Sequence, residues 1–523
     1  MKNKNFIKAF TFLSVFTLSI GCSNLDEEIL DGVSNSTTEI NTAATLVSAY
    51  NGLREFQNQG QMFALDEMST DALVGPTRGG DWDDNGSWRQ IHNHTWGPDH
   101  VEVRGAWNTL LSNVYSCNLV IEKGGTPNQI LEARFLRAFY YSNIIDLFGQ
   151  VPYRPAGSDL VDNPKVWTRA EATTFVISEL ESILPTLPAR IASDPSKANK
   201  DAAHFLLAKL YLNKGVYLAG NAVGPYTFAA ADMTKVATNV DAMSNTLAAN
   251  YWDNFAPTNN TSNEIVFSSK NSQGNSDGNI QSRWRMCNHY NQTPSGWNGF
   301  STVSEYYNKF QAVDARAKYS NPTILSELGN PVGFLVGQLK NGKNTDAKGS
   351  PKDANGVAYT NIPAGSLNLQ DRTGKPLVFT QNVTLITGGN TLETAGIRGI
   401  KYIPDVSNIE KPENDYVLMR YSDALLMKAE AILRGGTGSA STILADLAAR
   451  SGVTAAPNTL DGIYAERGRE LWWEGYRRND MIRFGKFLNQ RELKPYTSNS
   501  KYILYPIPAD ALFNSNLKQN PGY

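Results

Sequence analysis

Glu466, Glu470 and Glu474 stand at i, i+4 and i+8 in the stretch Glu466–Gly485, ERGRELWWEGYRRNDMIRFG. On a continuous helix of 3.6 residues per turn that spacing puts three carboxylates on one face. Paired carboxylates are the equipment of a glycosidase, in which one acid protonates the leaving oxygen and the other works from across an open cleft. The same stretch carries Arg467, Arg469, Arg477 and Arg478. The competing reading is a scaffold helix whose arginines satisfy its own acids and the ends of neighbouring helices. Two acids on one helix amid arginines do not span a cleft, so the architectural reading is preferred and no catalytic residue is assigned.

Two other stretches hold residues suited to recognition. The first is Arg78-Gly-Gly-Asp81-Trp82-Asp-Asp-Asn-Gly-Ser-Trp88, and the second runs Arg283 to Gln292 and on to Trp297 and Phe300. Sugar rings lie with their apolar faces on indole or phenol rings, while their hydroxyls need carboxylate, amide or guanidinium partners. Trp82 and Trp88 beside Asp81, and Tyr290, Asn291 and Trp297, supply both kinds of contact. Cys287 reads equally as a pocket wall and as an inert buried thiol. Asp66 and Arg398 are further candidate polar contacts, and Trp96 is expected to be structural.

Other chemistries find little support. Asp81, Asp83, Asn85 and Gly86 begin a calcium-loop pattern, but its twelfth position is His92 in place of the bidentate glutamate. His92, His94 and His100 lack the spacing of a zinc site. No Walker loop, dinucleotide fingerprint or nucleophile elbow is present, so neither cofactor nor metal is expected. A formal net charge of -2 gives no basic field for nucleic acid.

The chain of 523 residues has room for about three domains, or for one large domain with insertions. Lys2, Lys4 and Lys8 precede an apolar run, Ala9 to Ile20, that is too short for a mature span and suits a signal peptide. Gly21-Cys22 then resembles a lipoprotein cleavage site, although Ser19 stands where a lipobox has leucine. Residues 1–21 are therefore read as signal peptide, Cys22 as the lipidated residue, and 22–40 as a tether to a membrane through its lipid.

Apolar periodicity predicts helices over Thr42–Phe56, Val103–Glu122, Gln129–Phe148, Arg169–Leu184, Lys200–Lys214 and Ala229–Ala249. The predicted class is mainly α: a tetratricopeptide-like helical-hairpin scaffold over 41–253, with a ligand loop at 60–100. Residues 254–414 form a large loop-rich insertion carrying short strands near Glu264–Phe267 and Leu377–Thr380. Helices resume over 415–523 to complete the scaffold.

These pieces together resemble the SusD/RagB family of outer-membrane nutrient-binding lipoproteins. The resemblance rests on Leu136-Arg-Ala-Phe-Tyr-Tyr141 with Asp146-Leu-Phe-Gly149, and on Arg420-Tyr-Ser-Asp423 with Lys428-Ala-Glu430. It continues through Glu466-Arg467, Arg469-Glu470 and Glu474-Gly475 to Tyr505-Pro-Ile-Pro508 and Asn520-Pro-Gly522. It implies a helical scaffold with a loop-rich ligand face, glycan or less often peptide capture without chemistry, and a SusC-like TonB-dependent barrel as partner. The acids after Cys22 resemble the signal that sends such lipoproteins to the cell surface. The loop around Tyr290 and Trp297 is similar to one in fructan- and glycan-binding branches, so fructan-type oligosaccharides are among the ligands implied. A peptide-binding member and a surface glycosidase are the alternatives.

Overall fold

Helical hairpins occupy the first half of the chain. The computed structural model describes residues 40–154, 163–220, 223–272, 278–343, 363–387, 393–513 and 515–523. The signal peptide, Cys22 and nearly all of the tether lie outside the described residues. Helix α1 is Thr42–Asn51, α2 Ser87–Asn93, α3 Val101–Glu122, α4 Pro127–Leu147, α5 Arg169–Ile183, α6 Lys200–Tyr217 and α7 Ala230–Asp241. Among the hairpin contacts, α3 packs on α4, α4 on α5, and α6 on α7. Local chemistry sets their ends. Thr126 and Gln129 close a capping box with Pro127 in the first turn of α4, and Thr168 with Glu171 does the same for α5. The chain leaves α4 through Gly149 at φ +73°, where a side chain would be strained.

Helix α7 stops well before the expected Ala249. Asn245 donates to the carbonyls of Asn263 and Ile265, and the Ala248 N–H donates to Glu264 Oε2 at 2.9 Å. Tertiary partners thus take the polar groups that a longer helix would have used.

The later half adds α8 Pro322–Leu328, α9 Tyr421–Leu433, α10 Ala440–Ser451, α11 Leu460–Glu470 and α12 Arg477–Arg483. Short antiparallel ladders lie between the helices of both halves. They pair β1 (Val151–Tyr153) with β2 (Lys165–Trp167), β3 (Ile265–Ser269) with β9 (Tyr416–Arg420), and β6 (Gly337–Gln338) with β7 (Val378–Phe379). A three-stranded sheet has the order β4 (Lys318–Tyr319), β5 (Val332–Leu335), β8 (Arg398–Ile400). One large core runs through the hairpins and these strands, and a smaller one joins α9, α10 and α11 around Leu426, Leu444 and Ile463. No helix among the described residues is long and apolar enough to cross a membrane.

The stretch Glu466–Gly485 is not one helix. It breaks after Glu470, with Trp473 at φ +58° and Gly475 at φ +83°, and restarts at Arg477. Its acids still meet, through a buried arginine from elsewhere. Arg420, fully buried, reaches Glu264 at 2.7 Å, Glu470 at 2.5 Å and Glu474 at 2.7 Å. Arg316 adds Glu466 at 2.5 Å and Glu470 at 3.1 Å, while Arg450 pairs with Glu264 and Glu470. The stretch's own arginines mostly face outward from this cluster: Arg477 pairs with Asp71, Arg478 with Asp146, and Arg467 with Asp423 and Asp480. Only Arg469 pairs with an acid of the three, Glu466.

Candidate functional site

Two loops distant in sequence are zipped together by backbone and guanidinium bonds. Val74 and Ser301 exchange N–H to carbonyl bonds at 2.8 and 3.0 Å. Arg78, 1 % exposed, donates from Nε and Nη2 to the Gly299 carbonyl, from Nη2 also to Ser301 Oγ, and from Nη1 to the Ala395 carbonyl. A tight turn follows, in which the Arg78 N–H donates to the Asp81 carbonyl at 2.8 Å. Trp82 then adopts φ +61°, a conformation that non-glycine residues hold only where surroundings over-determine it.

Those surroundings are specific. The Trp82 indole N–H donates to the Trp297 carbonyl at 2.8 Å, and its ring packs on Phe300 and Trp88 at centroid distances of 5.0 and 5.9 Å. The indole also lies against Gly299, where an added Cβ would sit 2.3 Å from the ring. Trp88 is 6 % exposed, with its N–H on Asp84 Oδ2, so it supports Trp82 and presents almost no surface itself.

Tyr290 faces this turn from the second loop. Its hydroxyl donates to Asp81 Oδ2 at 2.8 Å, and partial burial, followed by that carboxylate, pushes its pKa up to about 12. Asn291 anchors beside it by donating to the Gln370 carbonyl at 2.8 Å. Trp82, Tyr290, Asn291 and Trp297 are half-buried and Asp81 is exposed. The structure thus brings these five candidates together where the two loops meet, Trp297 through its backbone carbonyl.

Beside them lies a set of charges that sequence reasoning did not single out. Glu393, buried, meets His289 Nε2 at 2.6 Å and Arg372 Nε at 3.1 Å. Burial lowers the His289 pKa to about 4 despite Glu393, so the ring is neutral near pH 7. The Arg372 guanidinium stands 4.1 Å from the Tyr290 ring centroid. Neither Arg372 nor Glu393 lies in a periodic pattern, and single charged residues in a loop give no sequence signal. Gly299, between Trp297 and Phe300, did: glycine among aromatics marks a close approach.

Besides Trp88, three candidates are not brought to this surface. Cys287 is fully buried, and desolvation pushes its thiol up to about 12, which fits the inert-thiol alternative. Arg398 is also fully buried, donates to the Glu393 carbonyl at 2.9 Å and lies over the Phe379 ring, its pKa lowered to about 9 by desolvation. Asp66 lines a pit of about 40 Å³ in the helical scaffold with Phe139, Lys209 and Tyr476. Loss of solvent raises its carboxyl to about 7, against the pull of Arg478 and Lys209. The calcium half-pattern dissolves into separate partners, since Asp83 pairs with Arg89, Asp84 accepts from Trp88 and Asp81 from Tyr290. Trp96 is structural, 1 % exposed with its N–H on the Tyr523 hydroxyl.

Residues 263–523 match the SusD family model, and residues 26–212 match a model described as starch-binding associating with outer membrane. The chain belongs to the SusD family. It is 25 % identical over 494 residues to starch-binding protein SusD of Bacteroides thetaiotaomicron, a match covering 88 % of this chain and 85 % of that protein. A SusD superfamily protein from Parabacteroides distasonis shares the fold with a TM-score of 0.70 at 19 % identity, covering 92 % of this chain and 98 % of that one. So does surface glycan-binding protein A from Bacteroides thetaiotaomicron, solved in complex with laminarihexaose, with a TM-score of 0.64 at 21 % identity over 92 % of this chain and 100 % of that one. The motifs that suggested a SusD-type chain, and the mainly helical class expected with them, agree with these matches.

Proposed function

We propose that this SusD-family chain is a cell-surface binding protein that captures oligosaccharides and passes them to a SusC-like TonB-dependent transporter. The observation that carries the reading is the convergence of half-buried Trp82, Tyr290 and Trp297 beside Asp81 and Asn291. Stacking faces next to hydroxyl partners suit a neutral sugar chain. The family model's description and the laminarihexaose complex of a structural neighbour support that ligand class, with starch, laminarin and fructan-type chains as the glycans to compare. Membrane attachment is assigned to a lipid on Cys22.

No reaction is part of the proposal. Glu466, Glu470 and Glu474 are 1 %, 0 % and 7 % exposed and held by arginines, and none of them belongs to the aromatic surface. Affinity electrophoresis in starch and laminarin gels tests the binding role. Retardation of the wild-type chain, lost in Trp82→Ala with Trp297→Ala, is the expected result. Unchanged retardation of that variant would remove the site assignment. Cys22→Ser is expected to move the chain from the membrane fraction to the soluble one.

A further inference from the structure

Tyr290 offers a ring for stacking, yet one face of it is already occupied. The centre of the Arg372 guanidinium lies 4.1 Å from the ring centroid, within the range of a cation–π contact. A pyranose ring stacked on that face would need the same space. Arg372 Nη2 also stands 3.7 Å from Asp81 Oδ2, the carboxylate oxygen that accepts the Tyr290 hydroxyl. Both groups that a sugar would use, ring and carboxylate, are therefore engaged by one side chain.

The backbone that carries Arg372 is well fixed. Asp371 accepts from the Thr373 and Lys375 N–H groups at 2.8 and 3.0 Å, and the Asp371 N–H donates to the Lys375 carbonyl at 2.8 Å. The Arg372 N–H donates to buried Glu393 at 3.1 Å, and Nε reaches the same oxygen at 3.1 Å. Beyond Nε the constraint weakens, because the side chain is 43 % exposed and its contact with half-exposed Asp81 is long. The guanidinium can turn off the ring while its turn stays in place.

We propose that Arg372 competes with the ligand for the Tyr290 ring face, so that a neutral sugar binds there only by displacing the guanidinium, and Arg372 sets how tightly the site holds neutral glycans. This rests on the glycan-binding reading above. An uncharged sugar gives Arg372 no ion pair in return for the contacts it loses. A carboxylate-bearing sugar would instead meet the guanidinium where it stands, while facing Asp81 and Glu393.

Isothermal titration of the wild-type chain, Arg372→Ala and Trp82→Ala with soluble starch and with laminarin, at low and at high salt, tests this. Matched melting curves establish that the variants fold. Arg372→Ala is expected to bind a neutral glycan about two- to fivefold more tightly, the size of one partly exposed cation–π contact. Salt is expected to tighten the wild type, by weakening the exposed Arg372–Asp81 contact, and to leave Arg372→Ala unchanged. If Trp82→Ala loses binding while Arg372→Ala binds no better than wild type, the competition is overturned and the site reading stands. Weaker binding by Arg372→Ala, restored in Arg372→Lys, would make Arg372 a ligand contact and overturn it as well. Binding of neither glycan by any form overturns both readings.

Discussion

The Tyr290 hydroxyl donates to Asp81 across 209 positions of sequence at 2.8 Å, joining the two aromatic loops into one surface. Tyr290 titrates near 12, and the His289 ring behind it near 4. Neither changes charge between those values. Glycan retention is therefore expected to stay flat from about pH 6 to about pH 9, a range that includes the ordinary histidine value of about 6.5. Titrations at several pH values check it, and a loss of binding centred near the ordinary histidine value of about 6.5 would show that His289 is not held neutral.

Gly299 is the floor under Trp82. An alanine Cβ there would lie 2.3 Å from the indole, and Gly299 is not among the positive-φ glycines, so the backbone itself accepts the change. Gly299→Ala is expected to push Trp82 out of place and weaken glycan binding strongly, at a stability cost of about 1–3 kcal/mol from overpacking. Trp82 fluorescence and urea unfolding separate the two effects. Binding unchanged from wild type would mean that Trp82 does not contact the sugar.

Glu470 is the hub of the buried ion cluster, touching Arg316, Arg420 and Arg450. Those arginines hold its carboxyl well below the usual carboxylate range despite burial. Glu470→Ala leaves three buried guanidinium groups short of a partner and is expected to cost about 3–5 kcal/mol. Chemical denaturation measures it. Glycan binding by the folded fraction should match wild type, because the cluster shares no residue with the aromatic surface.

Glu67 gives the opposite pH signature. Fully buried, with Oε1 accepting the Gly475 N–H at 2.7 Å, its carboxyl is raised from 4.5 to about 8 by desolvation. Between those values the unfolded chain has released this proton while the native chain keeps it, so the unfolded state binds fewer protons. The contribution of Glu67 to stability is thus complete below pH 4.5, falls as pH rises, and levels off above about 8. Glu67→Gln mimics the protonated form and is expected to remove this decline. Urea midpoints at pH values on either side of that window decide it, and an unchanged slope would place the pH dependence elsewhere.

Much of the scaffold was legible because its signals repeat. Leu110, Val114, Leu136 and Tyr140 fall on apolar periods, and Gly124 and Gly149 end the two helices. The break within Glu466–Gly485 was not visible as periodicity, since the charged and aromatic residues there continue a helical spacing across it. What turns the chain is the positive φ of Trp473 and Gly475, held by the Trp473 indole N–H on the Ala72 carbonyl and by the Gly475 N–H on Glu67. Asp81, Trp82, Tyr290 and Trp297 were legible as sugar-type residues. Their convergence through Arg78, and the presence of Arg372 on Tyr290, depend on contacts more than 200 positions or several loops away, which no local pattern encodes.

The Trp96 indole is closed off by the hydroxyl of Tyr523, and that hydroxyl in turn donates to the Leu504 carbonyl. Residue 96 therefore waits for a partner 427 positions further along the chain before its environment is complete. A nascent chain emerging from the ribosome has to keep the aromatic wall of its first half provisional until Tyr523 has been added. Tyr523→Phe keeps the ring but removes the hydroxyl, and it should leave the Trp96 N–H without this acceptor and the wall unsealed.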